Sequence, residues 1–191
     1  MILIITVLCC AQNGTAQPLS KKHLYLATQV GVLIGERTTG NQLFVSGNMQ
    51  HKYWSFGIGA GMDRYEVTTI PVAAMISRSL PGTATPFFTY GMLGYNIAAP
   101  AAREHINPGT YWTNPQSSFT NGWYGEWGIG YALLNKKKQG IECSIGYSIK
   151  TTAENYSERL VLDPGYLGNM TIDHHLVYRF SRLLLKFGFR I

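Results

Sequence analysis

Residues 123–133 read Trp-Tyr-Gly-Glu-Trp-Gly-Ile-Gly-Tyr-Ala-Leu, and this run decides the fold. The odd positions Trp123, Gly125, Trp127, Ile129, Tyr131 and Leu133 are bulky and apolar apart from one glycine, whereas the even positions Tyr124, Glu126, Gly128, Gly130 and Ala132 are mostly small or polar. Strand side chains alternate between two faces, so a period of two marks a strand with unlike sides. The informative point is how little charge the second side carries. A face built of glycine, alanine and tyrosine around one glutamate is a poor surface for bulk water.

The same rhythm recurs along the chain. In 23–35, Leu24, Leu26, Val30, Val32 and Ile34 oppose Tyr25, Ala27, Gln29 and Gly31. In 53–63, Trp54, Phe56, Ile58, Ala60 and Met62 oppose Ser55, Gly57, Gly59, Gly61 and Asp63. Ile141, Cys143, Ile145, Tyr147 and Ile149 oppose Glu142, Ser144, Gly146, Ser148 and Lys150, and Leu183, Leu185, Phe187, Phe189 and Ile191 oppose Leu184, Lys186, Gly188 and Arg190. Segments 43–49 and 70–76 are shorter, with Pro71 at a strand start where its missing N–H is tolerated. Segment 87–97 carries aromatics and glycine on both faces, which leaves its facing open. The reading predicts eight strands, the last beginning earlier, near Ile172, and no helix with capping signals. The connectors are medium at 35–42 and 64–69, short at 50–53, 81–85 and 134–140, and long at 98–121 and 151–171. Their alternation predicts an up-and-down meander with two unlike rims.

Composition narrows the class. The chain has 191 residues, enough for one domain, and only 14% are charged, against about 25% in ordinary soluble domains. With 21 glycines, 12 tyrosines, 8 phenylalanines and 4 tryptophans, it is neither disordered nor a coiled coil, and it carries no polybasic arm for nucleic acid. Beyond the N-terminus no stretch approaches the roughly 18 apolar residues of a membrane helix. Met1 to Cys10, MILIITVLCC, reads as the core of a signal peptide, with Gly14-Thr15-Ala16 as its small-residue site. This divides the chain into a leader, 1–16, cleaved before Gln17, and a domain, 17–191. Cleavage leaves Cys143 as the single cysteine and rules out an internal disulfide.

Eight antiparallel strands close into a barrel to remove their edges. With so little charge on the small-residue face, that face suits a narrow lumen and the aliphatic face suits lipid. Glu126, Glu142, Lys150, Lys186 and Arg190 then form a charge network inside, with Glu142 expected to pair with Lys186 and with Arg190. Trp54, Trp123, Phe187 and Phe189, near strand ends, form aromatic girdles. The alternative with the opposite facing is a soluble exported barrel holding a small apolar ligand.

The leader, the eight alternating strands and the closing Lys186-Phe187-Gly188-Phe189-Arg190-Ile191 resemble the OmpA/OmpX-like family of small outer-membrane β-barrels. Ile191 departs from the terminal Phe or Trp of most members. The resemblance implies an all-β, eight-stranded antiparallel up-and-down transmembrane β-barrel in the outer membrane of a Gram-negative bacterium. It also implies periplasmic termini and a C-terminal strand recognised by the barrel-assembly machinery.

Chemistry-bearing motifs are sparse. Gly57-x-Gly59-x-Gly61 lacks the spacing and the following helix of a phosphate loop. His174 and His175 are adjacent in a strand, so they point to opposite faces and cannot chelate one metal. Some small outer-membrane barrels are deacylases, palmitoyltransferases or proteases. Asp173, His175 and Ser148 are the candidate set for such work, although neither lipid-enzyme pattern is recognisable. An aqueous pore is excluded by strand number. The expectation is therefore a non-enzymatic protein without cofactor or metal. Its structural, adhesive or surface-interaction role rests on the loops 98–121 and 151–171 and on an extracellular partner. Its neighbours are lipopolysaccharide and phospholipid, and a lipid A- or phospholipid-modifying enzyme is the alternative. The net charge of +6 is uneven. Lys21, Lys22, Lys52, Arg78, Lys136, Lys137 and Lys138 gather at the short-connector end, whereas Glu36, Asp63, Glu66, Glu104, Glu154, Glu158 and Asp163 lie toward the other.

Overall fold

A computed structural model describes residues 23–36, 38–80, 86–99, 118–135, 138–161 and 169–191, with the backbone alone at 158–161 and 169–171. The leader 1–16 and most of 98–121 lie outside the described residues. The strands are β1 (His23–Ile34), β2 (Thr39–His51), β3 (Trp54–Tyr65), β4 (Val67–Ser79), β5 (Phe87–Ala98), β6 (Ser118–Thr120), β7 (Gly122–Leu134), β8 (Gly140–Val161) and β9 (Asn169–Arg190). Strands β1 to β5 pair antiparallel in sequence order, β5 pairs β7, β7 pairs β8 and β8 pairs β9, and β9 returns to β1, from Ala27↔Arg190 to Ile34↔Leu183. The short β6 lies in line with β7 against β8, so the closed ring has eight walls. Closure leaves no edge around the ring, as the sequence predicts.

The ends of β2, β4, β7 and β9 and the start of β1 share one rim, here called the terminal rim; the opposite one is the hairpin rim. Two connectors are tighter than expected. Residues 35–38 replace the medium connector 35–42, and Glu66 alone, with φ 57°, replaces 64–69. The larger correction concerns 151–171. Residues 151–161 and 169–171 are strand, not loop, and β8 and β9 are 22 residues each, paired out to Val161↔Asn169. β9 parts from β1 beyond Leu183 and β8 parts from β6 beyond Asn155, so the far end of this pair stands as a hairpin above the ring.

Facing follows alternation. Leu24, Leu26, Ile58, Leu93, Trp123, Ile129, Leu133 and Phe187 are among the exposed apolar side chains of the outer surface, while Gln29, Gln42, Asn48, Asp63, Asn96, Glu126 and Lys150 are buried inside. In β5 the unassigned facing resolves with Tyr90, Met92 and Asn96 inward and Leu93, Tyr95 and Ile97 outward. This is the reverse of a water-soluble barrel. A strand of 12 residues is about 40 Å long, and tilted about 40° it rises roughly 30 Å, the depth of a hydrocarbon core. Cys143 is exposed on the outer face, without a disulfide.

Candidate functional site

The lumen is filled by side chains stacked in three tiers. Nearest the hairpin rim, Asp63 of β3 is gripped by two cations. Lys150 Nζ donates to Asp63 Oδ1 at 3.0 Å, to the carbonyls of Tyr65 and Val67 at 2.9 and 2.8 Å, and to Thr69 Oγ1 at 3.3 Å. Arg182 Nη1 donates to Asp63 Oδ2 at 2.6 Å. An amine nitrogen with three acceptors besides a hydroxyl uses all three protons of an ammonium, so Lys150 is charged here. All three ionic side chains have no exposed surface. Phe180 and Tyr65 close the tier from above, the Lys150 ammonium lying 5.6 Å from the Phe180 ring and the Arg182 guanidinium 5.2 Å from that of Tyr65.

In the middle tier, Lys186 Nζ meets Glu126 at 2.5 Å (Oε1) and 2.7 Å (Oε2). Tyr124 donates its hydroxyl to Glu126 Oε2 at 2.5 Å and accepts from Gln42 Nε2 at 2.8 Å. The Lys186 ammonium also lies over the rings of Phe44 and Tyr90, at 5.3 and 5.8 Å. The Gly57-x-Gly59-x-Gly61 wall makes this possible. A Cβ on Gly59 or Gly61 would come within 2.5 or 2.8 Å of Phe44 side-chain atoms, so the Phe44 ring lies on backbone where a side chain would otherwise stand.

At the terminal rim, Arg190 Nη2 donates to Glu142 Oε2 at 2.9 Å, and Gln29 Nε2 donates to Glu142 Oε1 at 2.6 Å. The Arg190 guanidinium lies 4.1 Å from the Tyr25 ring, whose hydroxyl bonds Ser55 Oγ at 2.7 Å. Here the side chains keep 11% and 5% of their surface.

All five charged residues singled out from the sequence point inward, and Arg190 pairs with Glu142 as expected, but the partner of Lys186 differs. Lys186 does not pair with Glu142. In the β8–β9 register Lys186 faces Ser144 while Glu142 faces Gly188, so Glu142 lies diagonally between Lys186 and Arg190. It takes the rim arginine, and the longer reach of Lys186 spans the lumen to Glu126. Asp63 and Glu154, counted with the loop acids, are buried side chains of β3 and β8. Arg182 and Asp63 are the members of the network that the sequence missed. Of the aromatic set, Trp54 stands at the terminal rim and Trp123 at the hairpin rim, while Phe187 and Phe189 line the outer wall toward the chain ends, all four exposed.

The candidate catalytic set does not assemble. Ser148 is fully buried in the lumen, in register with Arg182. His175 pairs with Asn155, seven residues further along β8, which is about 23 Å of strand. Asp173 accepts instead from Ser157 Oγ at 2.6 Å. Among the described residues no cluster of three or more metal-ligating side chains forms.

No protein-family model matches the chain, and no characterised protein matches it by sequence. Its fold is similar to the crystal structure of the outer membrane protein OprG from Pseudomonas aeruginosa, with a TM-score of 0.51 over 90% of this chain and 97% of that one, at 15% identity. The class defined by fold and facing is the eight-stranded antiparallel barrel of the outer-membrane kind.

Proposed function

We propose that the protein is an integral outer-membrane β-barrel of a Gram-negative bacterium, acting not as an enzyme or a pore but through what it presents at its hairpin rim, in a structural, adhesive or surface-interaction role. The observation that carries this reading is the pairing of an apolar outer wall with a lumen occupied by buried ion pairs: the first suits acyl chains, the second leaves no aqueous path. The β8–β9 hairpin supports the surface role, since its 6 outermost residue pairs, from Tyr156↔His174 to Val161↔Asn169, extend past the last pairing of β8 with β6. At about 3.3 Å per residue such a ladder reaches roughly 20 Å. It is ordered by Tyr156 stacked on His174 at 4.7 Å and by Tyr178 donating to Glu154 Oε2 at 3.2 Å. Residues 1–16 serve as the export signal, the domain being 17–191. The termini lie in the periplasm, the closing strand engages the assembly machinery, and the hairpin meets an extracellular partner.

The test is heat-modifiable gel mobility in an outer-membrane fraction, followed by protease added outside intact cells. Cleavage within 98–121 or 162–168, with the Asn135–Gln139 turn spared, is the expected pattern. Cleavage at that turn in unpermeabilised cells inverts the orientation, and recovery in a soluble fraction ends the membrane reading.

A further inference from the structure

The outer wall of β1–β3 near the terminal rim is not smooth. It holds a groove of about 620 Å³ walled by Leu24, Leu26, Met49, Phe56 and Ile58, with Gly47 among the residues lining it. Gly47 differs from the lumen glycines in that nothing presses on it. A Cβ built there meets only Leu26 Cδ2, at 3.8 Å. The groove is therefore not demanded by packing within the protein; it is space left open toward the outside.

The groove leads to a set of cations. The Phe56 ring in its wall stacks with Trp54 at 6.4 Å and 17°, and the Arg78 guanidinium lies 5.1 Å from the Trp54 ring. His51 stands opposite Trp54 in the β2–β3 register, and Lys52 follows in the turn. Aromatic rings and cation thus form one continuous column from apolar wall to rim. Among the described residues His51, Lys52 and Arg78 take part in no ion pair. Glu142, the acid at this end, is turned into the lumen and held by Arg190 and Gln29.

From this juxtaposition we propose that the groove and its cation column form a binding site for one anionic glycerophospholipid of the periplasmic leaflet. The inference rests on the outer-membrane reading above. One acyl chain lies along Gly47 between the walls of Leu26 and Ile58, and the phosphate sits at Arg78, with Lys52 and His51 alongside. A groove alone would accept any acyl chain. Selectivity comes from the guanidinium, which Trp54 holds in place, offering N–H donors to phosphate oxygens where water is partly excluded.

The experiment uses the folded chain in detergent, with native mass spectrometry after addition of phosphatidylglycerol or phosphatidylcholine of identical acyl chains. Retention of a single phosphatidylglycerol at least about fivefold over phosphatidylcholine is expected, because each rim cation adds attraction for an anionic headgroup. Arg78→Gln with Lys52→Gln should bring the two lipids level. Gly47→Phe should reduce retention of both by filling the groove, and Gly47→Val serves if the larger side chain prevents folding. Equal retention in the unsubstituted chain, or indifference to the Gly47 substitutions, overturns the site. Reconstitution separates the two proposals: a chain that inserts into vesicles without lipid preference loses only this site, and one that does not insert loses the outer-membrane reading as well.

Discussion

The ion clusters at the two ends of the lumen contain similar groups in unlike surroundings. Asp63, Lys150 and Arg182 sit with no exposed surface below a cover of Tyr65 and Phe180, whereas Glu142 and Arg190 retain 5% and 11% near the terminal rim. Both are ion pairs on paper, yet burial changes what they are worth. Desolvation of a charge in a dry interior costs several kcal/mol, and only a partner with good geometry offsets it. At a rim that water reaches, both the cost and the attraction shrink. The difference teaches that the hairpin-rim cluster is a structural bolt and the terminal-rim pair a softer closure. Glu126 with Lys186 lies between them, nearly as dry as the first, at 0% and 2% exposed.

Four measurements test that gradient, each by denaturant unfolding of the folded barrel in lipid vesicles except the last. Asp63→Asn should have the largest effect, a loss of roughly 3–5 kcal/mol, because it strands two buried cations at once. A loss below about 1 kcal/mol would mean that water reaches this tier and that the contrast between the two ends is unreal. Lys186→Met should cost about 3 kcal/mol: Glu126 keeps the Tyr124 hydroxyl but loses its cation. Combined with Glu126→Gln, much of that loss should return, since removing both charges removes the stranded one, and strict additivity would deny their coupling. Arg190→Met should cost only about 1–2 kcal/mol, with Gln29 still donating to Glu142 and solvent at hand. An effect as large as that at Asp63 would erase the distinction between wet and dry ends.

The smallest effect belongs to the hairpin, outside the ring. Partial burial and the neighbouring Glu154 carboxylate push the Tyr178 phenol up to about 12. The fold favours the neutral phenol, so its contribution is fully present below the ordinary tyrosine range near 10 and is lost as pH rises through the folded value. Glu154→Gln should move the Tyr178 titration, followed by ultraviolet difference spectra against Tyr178→Phe, downward toward 10. No movement would place Glu154 away from the hydroxyl.

How far these features could be read beforehand differs along the chain. In the ring the alternation was legible because the two faces meet unlike media, lipid-like outside and crowded small residues inside, and that contrast is written as period two from Leu24 to Ile34 and from Trp123 to Leu133. At 151–171 the pattern reads as a loop because that contrast vanishes there. Thr151, Thr152, Asn155 and Ser157 give both faces of β8 similar polarity, because the buried positions Thr152 and Glu154 are themselves polar, so no apolar alternation marks the strand. Arg182 was missed for the related reason that it sits where the alternating run of β9 begins.

The sequence by itself determined the number of ring strands, the facing of the alternating runs in every one of them except β5, and the inward position of Glu126, Glu142, Lys150, Lys186 and Arg190. These follow from the backbone's strict two-residue repeat and need no knowledge of distant strands. The sequence also pairs Arg190 with Glu142 on the neighbouring strand, but only the tertiary structure decided that Lys186 meets Glu126 and that Asp63 lies between Lys150 and Arg182. Such pairs cross a closed lumen, and their partners are set by strand tilt and by the stagger of register around the ring. Neither quantity is contained in any one strand. It exists only once β9 has closed on β1.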